Sequence, residues 1–189
     1  TAFKEARALL TSLGALENER ITDHGRALAA LPVHPRLGHM LLKAGPSAAR
    51  LAALLAERDP MQGQEADLTL RLKLLRDRPK DPKVSRILLD AKRLERIAGP
   101  ATDLGPDQAL ALAYPDRIAQ RRAGDAPRFL LSGGKGATLA KEDPLSGQAY
   151  LAVADTDGDP RDAKIRLALP LSQAALRAVF EAEDGRAHV

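Results

Sequence analysis

The sequence predicts an α+β chain, with helices through about residue 115 followed by a small antiparallel β subdomain. Two observations carry this. Apolar residues recur at helical spacing from Phe3 to Leu112, whereas Ala163 to Leu169 alternates apolar and charged side chains with period two. A third supports the joints: Gly, Pro and Asp cluster where helices must be capped or turns closed.

In chain order, Phe3, Ala6, Leu9, Leu10 and Leu13 define an opening helix, and Gly14 suits its C-cap. Ala15 to Ile21 then reads as a short strand, a polar turn and a return strand, which together make a small wing. Thr22 is a good N-cap for a short helix carrying Leu28 and Leu31, which Pro32 ends. Pro35 opens a second helix, where Leu37, Met40 and Leu41 face one core. Pro46 and Ser47 start a helix through Ala56 with Leu51, Leu54 and Leu55 inward. Asp67 favours the start of the next helix. There Leu68, Leu72 and Leu75 share one side and Leu70 and Leu74 the other, so this helix is expected between neighbours. Asp81-Pro82 caps the longest helix, about residues 82–98, striped by Val84, Ile87, Leu88, Ala91, Leu94 and Ala98. Gly105-Pro106 opens a last helix before Tyr114-Pro115 closes it.

Tyr114 to Pro127 reads as a basic linker. Beyond it, Arg128–Leu131 and Ala137–Leu139 flank Ser132–Gly136 as a hairpin, Tyr150–Ala154 is a further strand, and Ala163–Leu169 is a half-buried one. In the last, Ile165, Leu167 and Leu169 take one face, Lys164 and Arg166 the other. Ser172 caps a closing helix with Leu176, Val179 and Phe180 inward, and fraying is expected beyond Glu183.

The 189 residues, 44% hydrophobic and 29% charged, are globular in composition, and no apolar run approaches the roughly 20 residues of a membrane span. The absence of cysteine excludes disulfide and thiolate chemistry and fits a reducing compartment, so a cytoplasmic setting is expected. Helical spacing already present at Thr1 points to a piece of a longer protein, with any catalytic residues upstream.

Three motifs suggest chemistry and fail on spacing. Gly133-Gly134-Lys135-Gly136 lacks the Ser or Thr and the helix that a phosphate loop needs after its lysine, and reads as a hairpin turn. Asp155-Thr156-Asp157-Gly158-Asp159 would place Pro160 and Arg166 where a calcium loop needs glycine and a bidentate glutamate, so it reads as a type I′ turn or a nearby loop. His24, His34 and His39 form no one-face His pair and no cysteine assists, so capping and surface roles are expected and no metal site.

Charge is the positive signal. The chain is only +4 overall, with 29 Lys+Arg against 25 Asp+Glu, but from Arg71 to Arg96 ten basic residues face four acidic ones, a local +6. Arg86, Lys92, Arg93 and Arg96 fall opposite the apolar stripe of the longest helix, with Arg93 and Arg96 least committed to local pairing. Arg117, Arg121, Arg122, Arg128 and Lys135 form a second group at the entry to the strands. With only 3% aromatic residues, phosphate contact outweighs base stacking; Phe129 and Tyr150 are the available platforms, although a core role is favoured for both.

Leu13-Gly14-Ala15-Leu16, Ile21-Thr-Asp-His-Gly-Arg-Ala-Leu28 and Leu31-Pro-Val-His-Pro-Arg-Leu37 together resemble the helicase-associated region of DEAH-box ATP-dependent helicases. Ala113-Tyr-Pro-Asp-Arg-Ile-Ala-Gln-Arg-Arg122, continuing through Phe129 to Ala137, is similar to the HrpB-type branch of that family. The resemblance implies a winged-helix remnant over residues 1–44, a ratchet-type helical bundle over 45–115, and an oligonucleotide-binding (OB) like β subdomain over 116–189. It further implies single-stranded RNA or DNA and upstream RecA-like motor domains as partners, no membrane, no cofactor held by this segment, and ATP with Mg in the parent protein. Four clear strands fall one short of the five an OB fold wants. Two other readings stand beside this one: a protein-interaction scaffold that touches no nucleic acid, and a winged-helix DNA reader using Pro35–Lys43 as recognition helix.

Overall fold

The computed structural model describes residues 1–187. Helix α1 (Ala2–Ser12) leads into a two-stranded wing, β1 (Leu16–Glu17) and β2 (Arg20–Ile21). Gly14 takes the left-handed conformation at φ +76°, which releases the chain from α1, and Asn18 and Glu19 take φ 49° and 64° in the turn between the strands. Short helices α2 (Asp23–Ala29) and α3 (Pro35–Ala44) follow. The Thr22 hydroxyl accepts from the Gly25 amide at 2.9 Å and donates to the Gly14 carbonyl at 2.6 Å, so one side chain joins the wing to α2.

Helices α4 (Ala49–Ala56), α5 (Leu68–Asp77), α6 (Pro82–Ile97) and α7 (Pro106–Ala113) complete the helical part. Met40, Leu41, Leu51, Leu68, Leu75 and Leu110 form the heart of its core. As its two-sided leucine pattern requires, α5 lies between elements, against α6, α4 and the strands. Gly99 sits where the end of α6 crosses the end of α3: its amide donates to the Leu41 carbonyl at 3.0 Å, and a Cβ there would lie 2.1 Å from the Leu42 carbonyl oxygen.

The strands β3 (Ile118–Arg121), β4 (Arg128–Leu131), β5 (Gly136–Thr138), β6 (Tyr150–Thr156) and β7 (Ala163–Pro170) close a barrel in the order β3-β4-β5-β7-β6. All pairs are antiparallel except β5 with β7. Its interior is filled by Phe129, Leu131, Leu139, Leu151, Val153 and Ile165. The other face of β6 and β7, through Ala152, Ala154 and Leu169, packs into the helical core against α7. Strand β6 is thus buried on both faces, which explains its unbroken apolar run. Helix α8 (Gln173–Ala187) closes the fold on α7, with the Ser172 hydroxyl accepting from the Ala175 amide at 3.0 Å.

Three expectations need correction. The stretch Tyr114–Pro127 is not simply a linker, because it contains β3, the fifth strand, which pairs with both β4 and β6. The strict alternation of β7 breaks at irregularities opposite Val153, Asp155 and Thr156, so Ile165 points into the barrel while Leu169 points out to the helices. Phe129, by contrast, is 1% exposed inside the barrel, in the core role favoured for it over a stacking platform. Helix α8 remains helical past Glu183 through Ala187; the rest of that expectation falls on residues 188 and 189, outside the described residues.

Candidate nucleic-acid interface

The two motif regions that lie 80 residues apart in sequence meet in space. Arg36, at the start of α3, donates to both carboxylate oxygens of Asp116, at 2.7 and 3.0 Å, and to the Ala113 carbonyl at 3.1 Å. Its guanidinium lies 4.8 Å from the centre of the Tyr114 ring, and the Arg117 guanidinium lies 5.3 Å from the same ring. Proline at 35 and the His34 ring, which accepts from the Arg36 amide at 3.1 Å, set the first turn of α3 so that Arg36 points at the barrel entrance. Burial alone would raise the Asp116 carboxyl, but the hydrogen bonds and charge of Arg36, its own backbone amide and Arg117 outweigh it and hold the group below its ordinary value. This seam locks the winged segment to the barrel.

The first candidate group is displayed as expected. Arg86, Lys92, Arg93 and Arg96 are all exposed on α6, and Val84, Ile87, Ala91 and Leu94 of the same helix are buried. Arg93 is less free than its sequence suggests, since it reaches Asp90 at 3.4 Å. Arg71 leaves the basic run altogether. It is 1% exposed and holds Asp59 at 3.0 and 3.2 Å, and it donates to the backbone carbonyls of Met61, Glu65 and Asp67. Its charge pins the α4–α5 connection.

The second group divides. Arg117 donates to the Ala154 carbonyl at 2.9 Å, and Arg121 to the Ser146 carbonyl at 2.8 Å and the Gly124 carbonyl at 3.2 Å; both are half-buried. Arg122, Arg128 and Lys135 are exposed. Arg122 and Arg128 sit at one end of the β3–β4 pair, where the Arg122 amide donates to the Arg128 carbonyl. Lys135 sits at the opposite end, in the hairpin whose Gly133 amide bonds the Asp116 carbonyl. The α6 group and the barrel group are not adjoining, because α6 packs chiefly on α4 and α5 while the barrel leans on α7 and α5.

A cleft of about 670 Å³ between helices and barrel brings in cations that sequence reasoning did not single out: Arg58, Lys164 and Arg166 line it, with Gln62, Gln64 and Tyr114. The polar face of β7, already visible in its alternation, was the signal for two of them. Glu57, Asp59, Asp155 and Asp157 line the same cleft and offset the charges of Arg58, Arg71, Lys164 and Arg166, so it is not a net cationic surface.

The histidines also depart from expectation. His34 caps α3, as foreseen. His39 is not at the surface: it is buried, its Nδ1 lies 2.8 Å from His24 Nε2, and burial together with the His24 and Lys43 charges lowers its pKa to about 3. Among the described residues no group of three or more His, Asp or Glu is placed to hold a metal ion. The Gly133–Gly136 stretch is the β4–β5 hairpin, followed by a strand, and so lacks the helix N-terminus that would cradle ATP phosphates. Nor does α3 suit a groove-reading role, since Arg36, Leu37, Gly38, His39, Met40 and Leu41 are all buried. No helix among the described residues is long and apolar enough to cross a membrane.

Residues 6–33 match the winged-helix helicase associated domain, HA2. Over 172 residues the chain is 38% identical to the ATP-dependent RNA helicase HrpB of Escherichia coli (strain K12), a match over 87% of this chain and 20% of that protein. This is a helicase-associated region of the HrpB type. Two crystal structures of HrpB from E. coli are similar to this HrpB-type region. One, of the DExH-box NTPase HrpB, has TM-score 0.76 and 33% identity over 93% of this chain and 22% of that one. The other, of the DEAH/RHA helicase HrpB, has TM-score 0.70 and 31% identity over 90% and 22%. The chain therefore spans about a fifth of the length of the relatives it matches.

Proposed function

We propose that this region guides a single strand of RNA for an ATP-driven motor carried by other parts of the same protein. In this reading residues 1–44 are the end of a winged-helix segment, 45–115 a ratchet-type bundle and 116–189 an OB-like barrel, in a cytoplasmic helicase. The region performs no hydrolysis itself. ATP and Mg belong to upstream RecA-like domains, which supply the phosphate-cradling loops and metal site that hydrolysis needs.

The observation that carries the reading is the exposed cationic face of α6, Arg86, Lys92, Arg93 and Arg96, on a rigid helix whose opposite side is core. Arg122, Arg128 and Lys135 extend contact to the barrel, where oligonucleotide-binding barrels take their ligands. Arg117 and Arg121 act differently, by positioning the strands through their carbonyl bonds. Phosphate recognition by separated guanidinium and ammonium groups is independent of base sequence, so DNA of equal length is expected to bind as well. Fluorescence anisotropy with labelled oligouridylate tests this. The double charge reversal Lys92→Glu and Arg96→Glu should weaken binding by about tenfold or more, and unchanged affinity would refute a role for α6.

A further inference from the structure

The basic face of α6 carries a feature that phosphate binding does not call for. Leu89 lies at its centre and is 54% exposed, flanked along the helix by Ser85, Arg86, Lys92, Arg93 and Arg96. Beside it runs a groove of about 360 Å³ between α4 and α6, with Leu88, Leu89 and Pro79 giving an apolar floor and Arg50, Lys92 and Glu95 a charged rim. Arg50, Arg86, Lys92 and Arg96 form no ion pair among the described residues. Uncommitted cations around a leucine make a surface that is electrostatically complementary to carboxylates and has area to bury against a large apolar side chain.

We propose that this groove docks an acidic amphipathic segment of a partner protein, with a Leu- or Phe-type side chain seated against Leu88 and Leu89 and carboxylates meeting Arg50, Lys92 and Arg96. Nucleic acid satisfies the cations but gains little from Leu89, whereas an acidic segment with an apolar anchor uses both. Glu95 fixes the orientation: the carboxylates gather toward Arg50 and Lys92, and the segment turns an uncharged side toward Glu95. Docking stands independently of strand guidance. Its consequence, that segment and strand exclude each other on α6, rests on the proposed function.

The test titrates this chain with three fluorescein-labelled probes: an acidic peptide with Leu and Phe at helical spacing, the same peptide with Ser in place of Leu and Phe, and oligouridylate. The acidic apolar peptide should bind, the Ser peptide should bind about tenfold more weakly, and Leu89→Ser should abolish that difference. Leu89 is exposed, so the variant keeps its fold, which circular dichroism verifies. Lys92→Glu should weaken both peptides. Equal affinity for the two peptides, no peptide binding at low salt, or a Leu89→Ser variant that retains the preference would each overturn the proposal. Strand guidance is judged separately, by whether oligouridylate binding survives Leu89→Ser and falls with Lys92→Glu.

Discussion

Replacing Asp116 by Asn removes the carboxylate from the seam between the winged segment and the barrel while keeping side-chain volume. In the native fold Asp116 receives two hydrogen bonds from Arg36, at 2.7 and 3.0 Å, and the Arg36 side chain is only 10% exposed. Breaking a fully buried ion pair by removing one partner costs about 3–5 kcal/mol, because a charge is left behind without compensation. Two features reduce that figure here: the Asp116 side chain is 44% exposed, so water reaches the site, and Arg36 keeps the Ala113 carbonyl and the Tyr114 ring. About 2–3 kcal/mol is the expected loss. The chain has no tryptophan, so urea unfolding followed by far-ultraviolet circular dichroism is the suitable readout. A cycle with Arg36→Met and the double variant should give a coupling of about 2 kcal/mol. A coupling below about 0.5 kcal/mol would place the pair with ordinary surface bridges and refute the seam as a structural lock.

Other perturbations test the remaining parts. Asp59→Ala strips the partner from Arg71, which is 1% exposed, and should cost about 3 kcal/mol or more in urea unfolding; a loss under 1 kcal/mol would contradict a pinned α4–α5 connection. Gly99→Ala puts a methyl where only 2.1 Å separates a Cβ from the Leu42 carbonyl oxygen, and about 1–3 kcal/mol should be lost, measurable as a lower thermal midpoint. His39 makes stability depend on pH. Its folded value of about 3 lies below the ordinary 6.5, so the unfolded chain binds the proton more readily; the contribution is complete above about pH 6.5 and is lost as pH falls toward 3. From neutral pH to about pH 5 the loss is about 2 kcal/mol, and His39→Phe should flatten that part of the profile.

Most helix ends were legible because capping residues declare them. Thr22, Asp67, Asp81 and Ser172 all accept amide hydrogen bonds at the starts that their residue types suggest. Strand β3 was hidden because Ile118-Ala-Gln-Arg121 has one large apolar residue and no clear alternation; what makes it a strand is pairing with β4 and β6 on either side. The change of face along β7 was equally invisible, since the extra residue between Ile165 and Leu167 shows only in the register with β6. Of the candidate site, the exposure of the α6 cations follows from helical periodicity alone. The burial of Arg71 and the internal bonds of Arg117 and Arg121 do not, because carbonyls supplied by distant loops decide whether a guanidinium faces water. The joining of Arg36 to Asp116 gives the two recognisable motifs a physical reason: each is half of one contact.

Strand guidance by spaced cations, as proposed, makes the affinity for oligouridylate fall as salt rises. With four to seven phosphates engaged by Arg86, Lys92, Arg93, Arg96, Arg122, Arg128 and Lys135, log K should fall against log salt with a slope of about −3 to −5. A slope near zero, or no binding at low ionic strength, would contradict it.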